Sequence, residues 1–185
     1  NMSTVINADF YIQTHKLGAF AVLHRADTEE NIVASVLKVK KECEWVAASI
    51  GVGEKQFEFA KTLIQNGANI IVVDIAHGYC DPVIDMGVAI KKFSKDVKVV
   101  LGNTTNLDML YEVSFKSAAD AVKVGIGQGS ACETKNSAGS TEGQFSAVYK
   151  FKQVSRELGI PIISDGSISE PADFSKAIAA GANSV

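Results

Sequence analysis

The stretch Asn66-Gly67-Ala68-Asn69-Ile70-Ile71-Val72-Val73-Asp74 reads as a helix stop followed at once by a strand. Glycine supplies the left-handed residue on which helices commonly end. The β-branched run after it lacks polar alternation, which is the pattern of a strand covered on both faces, as in a parallel sheet. The joint is echoed at Ala180-Gly181-Ala182-Asn183, an internal repeat. Further apolar runs lie at 19–23, 45–50, 97–101, 121–125 and 160–164, and Asn183-Ser184-Val185 looks like the start of another. The segments 28–41, 57–64, 83–93, 107–113, 145–158 and 174–180 place apolar residues at helical spacing. Asp27-Thr28-Glu29-Glu30 and Glu170-Pro171 supply helix starts, and Gly18, Gly67, Gly159 and Gly181 supply stops.

Strand starts recur every 23–28 residues, with one interval of 39. Alternating βα units leave an open doubly wound sheet or a closed (β/α)8 barrel, and a near-constant period over consecutive units favours the barrel. Such barrels typically need ~250 residues. The 185 residues are therefore expected to form an α/β chain, an incomplete TIM barrel running roughly from the end of the first unit to the start of the eighth.

Composition narrows the function classes. Hydrophobic residues make up 46% and charged residues 21%, and the net charge is −3, so no basic excess exists to neutralise a nucleic-acid polymer. No apolar run approaches the ~20 residues of a membrane span. Three cysteines suit a reducing compartment, and a cytoplasmic location is expected. The three histidines lie far apart without zinc spacing.

Loops that follow barrel strands form the catalytic face, and the long interval falls after Gly125. It opens Gly125-Ile126-Gly127-Gln128-Gly129-Ser130-Ala131-Cys132-Glu133-Thr134. Glycines at alternate positions let the backbone turn carbonyls and amides toward an ion or anion. Cys132 sits among small polar residues and is a candidate nucleophile or an inert small side chain. Cys43, at a helix end, reads as inert or merely exposed, and Cys80 stays open. Lys123 alternates with buried valines, so it is expected to point into the barrel and to require a carboxylate partner.

The glycine loop, with Ala138-Gly139 and Gly143-Gln144-Phe145-Ser146-Ala147-Val148, resembles the active-site loop of the IMP dehydrogenase/GMP reductase family. Supporting phrases follow in family order: Asn1-Met2-Ser3-Thr4-Val5, Leu23-His24-Arg25, Asp74-Ile75-Ala76-His77-Gly78, Gly102-Asn103-Thr104 and Ser164-Asp165-Gly166. The resemblance covers residues 1–185, read as a single partial catalytic barrel. It implies a purine nucleotide substrate, hydride exchange with NADPH or NAD, and a homotetramer. Cys132 matches the nucleophile that bonds to purine C2, and Thr134 a threonine handling a proton. Met2 matches a residue packing on the purine, Ser130 a phosphate ligand, Asp165 the carboxylate gripping the ribose hydroxyls, and Gly166 and Ser167 the phosphate turn. Asp74, Asn103 and Gly125 match positions on the cofactor side. The carbonyls of Gly127, Gly129 and Cys132 match a monovalent-cation site, for K+. His24 and Arg25 fall on the same side, as anion or cofactor contacts or as a structural salt bridge.

Dehydrogenases of the family usually carry a regulatory (CBS-type) insert between the second helix and third strand. Here Val39-Lys40-Lys41-Glu42-Cys43-Glu44 runs directly into Trp45, which resembles GMP reductase. NADPH-dependent deamination of GMP to IMP is thus the expected activity. The alternatives are an IMP dehydrogenase without the insert and a non-catalytic nucleotide-binding barrel. Ser3, Glu133, Ser140-Thr141-Glu142 and Ser167 depart from the family pattern and bear on substrate identity. Ser167 replaces a glycine and is expected to serve as a hydroxyl donor only if its φ is negative.

Overall fold

The structure is a computed structural model that describes residues 2–129, 132, 134, 136, 139 and 141–185. Five strands, β1 (Ala47–Ile50), β2 (Ile70–Asp74), β3 (Lys98–Thr104), β4 (Ala121–Val124) and β5 (Ile162–Ser164), lie side by side in chain order, all parallel. Seven helices join the described residues: α1 (Ala8–Lys16), α2 (Glu29–Lys40), α3 (Glu54–Gln65), α4 (Asp81–Phe93), α5 (Asp108–Lys116), α6 (Gln144–Leu158) and α7 (Pro171–Ala180). An open doubly wound sheet reverses its strand order at a switch point; this sheet does not. It is the wall of a partial (β/α)8 barrel, and no helix among the described residues is long and apolar enough to cross a membrane.

The expected strands at 19–23 and from 183 are reduced to single parallel bridges, Leu23 to Ala48 and Ile163 to Ser184. The helix α1, implied only by its stop at Gly18, is capped by the Asn7 side chain, which accepts from Phe10 N. Its buried Tyr11 hydroxyl donates to Trp45 O at 3.0 Å and accepts from Ala47 N at 2.9 Å. Burial pushes that phenol up to about 12.

The repeated joint has one geometry. At both copies the glycine takes a positive φ, 108° at Gly67 and 123° at Gly181. Asn69 Oδ1 then accepts from Val46 N at 2.7 Å, and Asn183 Oδ1 from Ile162 N at 2.9 Å. Each asparagine also donates its backbone N–H to the same residue's carbonyl. The echo in sequence is therefore a splice between neighbouring strand starts.

Strand residues face two ways. Ile71, Val73, Val99, Leu101, Val122, Val124 and Ile162 are fully buried against helix side chains such as Phe59, Leu63, Ile84, Leu110 and Phe151. Each such side chain stabilises the fold by ~2 kcal/mol relative to exposure. Ser49, Val72, Val100, Gly102 and Lys123 take the alternate positions toward the barrel interior.

At the strand N-termini, Asp120 ties α4 to β3 and β4. Its Oδ2 accepts from Lys91 Nζ at 2.9 Å and Val99 N at 2.8 Å. Burial raises its pKa, but the Lys91 and Val99 hydrogen bonds and the Lys98 charge outweigh it and hold the carboxyl below its usual range. A depressed carboxylate contributes stability that is present above its unfolded pKa, ~3.9, and is lost as pH falls through the folded value. Urea denaturation of full-length protein should show Asp120→Ala destabilised by about 2–3 kcal/mol at pH 7, with the gap narrowing as the pH drops below about 4.

Candidate active site

The strand C-termini converge on one cleft of about 550 Å³, a size suited to a small-molecule ligand. Asp74 closes β2, Asn103 lies near the end of β3, Lys123 is on β4, and Gly125 and Asp165 immediately follow β4 and β5. Met2, Arg25, Cys132, Thr134 and Gly166 also line it, with the glycine loop 126–129. Residues separated by more than 160 positions in the chain are thus brought to one mouth.

At its floor is the lysine that the sequence required to be paired. Lys123 is 8% exposed, and its Nζ lies 2.8 Å from Asp74 Oδ1 and 3.0 Å from Asp165 Oδ2. Burial works against the ammonium, but the Asp165 and Asp74 carboxylates outweigh it and hold Lys123 above the usual lysine range. Burial likewise raises the Asp165 pKa, and Lys123 and the Asn103 amide outweigh it, so Asp165 stays below its usual range. Both groups are ionised at neutral pH.

Asn103 Nδ2 donates to Gly125 O at 2.8 Å and to Asp165 Oδ2 at 2.6 Å. The Lys123 and Asn103 contacts both fall on Oδ2, while the Asp165 side chain remains 43% exposed. The carboxylate is held from behind and presented to the cleft. Gly125 has φ 135°, and a Cβ there would stand 2.3 Å from Asp165 O, so this close crossing needs glycine.

Cys132 Sγ lies 3.3 Å from Thr134 Oγ1, and Cys132 N donates to Gly129 O at 3.0 Å. The thiol donates to the threonine hydroxyl oxygen, so the two side chains that the resemblance pairs are in direct contact. Cys43 is buried in the core, as an inert residue would be, and burial pushes its thiol up. Cys80 caps α4 and donates weakly to His77 O. Ser130 and Glu133 lie outside the described residues.

Ser167 has φ 57°, so the negative-φ condition set for its hydroxyl fails. Its Oγ donates to Gln128 O, tying the turn after β5 to the glycine loop. Residues in the left-handed region carry a modest steric cost when not glycine, and the inter-loop hydrogen bond offsets it. His24 is engaged locally, its Nδ1 accepting from Ala26 N at 3.1 Å, whereas Arg25 reaches the cleft.

Two glutamines were not singled out by sequence reasoning. Gln144 Nε2 donates to Val124 O at 2.8 Å and to Ser164 Oγ at 2.9 Å, locking the ends of β4 and β5 together. Gln128 Nε2 donates to Thr141 Oγ1 at 2.7 Å and to Glu142 O, pinning the glycine loop to the approach of α6. The signal for Gln144 was its place just after Gly143 at a helix start; Gln128 carried none.

A family model described as "IMP dehydrogenase / GMP reductase domain" matches residues 1–185. An inosine-5'-monophosphate dehydrogenase of Rhizobium tropici is 42% identical over 137 residues, 74% of this chain and 27% of the relative. A GMP reductase of Leishmania major is 40% identical over 142 residues, 76% of this chain and 29% of the relative. A GMP reductase of Clostridium acetobutylicum is 33% identical over 187 aligned positions, 100% of this chain and 56% of the relative. The chain thus spans from about a quarter to just over half the length of these relatives. Its matched sequence, its partial barrel and the cleft at its strand ends agree: the chain belongs to the IMP dehydrogenase/GMP reductase family of purine nucleotide oxidoreductases.

Proposed function

We propose that this chain carries the nucleotide side of a GMP reductase-type active site, converting GMP to IMP and ammonia with NADPH. The observation that carries the reading is the Cys132–Thr134 pair, 3.3 Å apart at the mouth of a cleft that also holds Asp165. In this reading Asp165 accepts from the ribose hydroxyls through its exposed face, Met2 packs on the base, and the Gly166–Ser167 turn with Ser130 takes the phosphate. Cys132 Sγ bonds to purine C2, and the C2–N bond breaks as the amine leaves with a proton that Thr134 relays. The S–C2 bond then breaks as C2 gains hydride, returning the thiolate and IMP. A thiolate splits one hard displacement into two easier steps.

Bound NADPH supplies that hydride. Asp74 offers an acceptor carboxylate at the end of β2, and Gly125 leaves the wall free of a side chain. Asn103 has committed its amide hydrogens to Gly125 O and Asp165, so it meets a ligand through Oδ1, as an acceptor. The carbonyls of Gly127, Gly129 and Cys132 fit K+ chemically, being uncharged hard oxygen donors on a loop in which Gly127 takes φ 78°.

Two further observations favour the reductase over the dehydrogenase. Only six residues, 41–46, separate α2 from β1, and the Clostridium acetobutylicum GMP reductase matches across the whole chain. The Rhizobium tropici relative keeps the dehydrogenase as the second reading.

The readings part in one assay. Full-length protein given GMP plus NADPH, or IMP plus NAD, is followed by absorbance of the reduced cofactor. Consumption of NADPH with GMP is expected; NADH formation with IMP alone would assign the dehydrogenase, and binding without turnover the non-catalytic barrel. Cys132→Ala should lower kcat by at least about a thousandfold, ~4 kcal/mol of barrier, and change the GMP dissociation constant by less than about threefold, under 1 kcal/mol. Retained turnover would eliminate covalent catalysis at this residue.

A further inference from the structure

Two carboxylates from different strand ends share a single ammonium. Asp74 ends β2 and Asp165 follows β5, so β3 and β4 lie between them. Lys123 on β4 reaches both, at 2.8 and 3.0 Å. To reach Asp74 it must cross β3, and neighbouring strands stand about 4.8 Å apart. The crossing is possible because the β3 residue in register with both Asp74 and Lys123 is Gly102. A Cβ at Gly102 would sit 2.5 Å from Lys123 Cβ. The lysine stem therefore occupies the space a side chain would have taken.

The pairing has a consequence for binding. A charge shared between two acceptors in a buried setting is redistributed when either acceptor changes, because screening there is weak. Neutralising Asp74 leaves the ammonium wholly to Asp165. A change on the dinucleotide side is thereby felt at the carboxylate that faces the nucleotide.

We propose that Lys123 is a positioning residue that couples the two halves of the cleft, so that Asp74 sets how tightly Asp165 holds the nucleotide. The proposal rests on the reading that Asp165 binds the ribose of GMP. Groups in one ionic network characteristically show interaction energies well above the error for distant sites, and Asp74 and Asp165 both contact Lys123 Nζ.

The test is a double-mutant cycle on GMP binding, measured by calorimetry without dinucleotide on the full-length protein. Asp74→Asn is expected to change the GMP dissociation constant by about threefold or more, in either direction. In a Lys123→Met background the response to the same substitution should differ by about threefold or more from that in wild type, because only direct repulsion between the carboxylates is left, and in Lys123→Arg the wild-type response should return. A purely structural role for Lys123 would lower affinity without changing the response to Asp74→Asn. An unchanged dissociation constant in Asp74→Asn, or an equal change with and without Lys123, overturns the coupling. If Lys123→Met does not fold, the wild-type and Lys123→Arg backgrounds decide, and no response in either overturns it. Failure of the wild-type protein to bind GMP would instead overturn the nucleotide reading, and this proposal with it.

Discussion

A lysine ammonium pointing into a barrel must be paired or give up its proton, because stranding a charge there costs several kcal/mol, a large share of a domain's net stability. Meeting that demand at Lys123 organises the cleft. It fixes Asp74 and Asp165 at the ends of their strands and requires glycine at 102. The Asn103 amide donates to the same Asp165 oxygen as Lys123. The pair is not evidence of extra stability, since a buried ion pair seldom outperforms a well-packed apolar alternative. Its value is geometric: it presents charged acceptors to the cleft at defined positions.

The loop bearing Cys132 is held by another device. Glycines shape it, and side-chain amides and hydroxyls fasten it: Gln128 to Thr141 and Glu142, Ser167 to Gln128, and Gln144 to the ends of β4 and β5. Thr141, Glu142 and Ser167 are among the positions that depart from the family phrase. In this chain those departures interlock, so the altered residues contribute to the site's construction.

The βα period, the two splice joints and the pairing of Lys123 were legible because each follows from local chemistry: β-branched runs, glycine stops, and the cost of an unpaired buried charge. Other features depend on contacts that no local pattern encodes. The run at 19–23 has strand composition, yet it joins the sheet through a single bridge at Leu23. The left-handed φ of Ser167 accompanies a hydrogen bond from its hydroxyl to Gln128 O, 39 residues away in the chain. Tyr11, which anchors α1, is an ordinary tyrosine until Trp45 and Ala47 are brought against it. Cys132 stood out by its loop; its threonine partner acquired meaning only through the family resemblance and then the measured approach.

The central claim is that the sulfur of Cys132 bonds to the nucleotide base at the mouth of this barrel. Acid-quenching the full-length protein during turnover and mapping its peptides by mass spectrometry tests this directly. The account predicts a purine nucleotide attached to the peptide containing Cys132. A nucleotide carried by Cys80 or Cys43, or turnover with Cys132 unmodified, would contradict it.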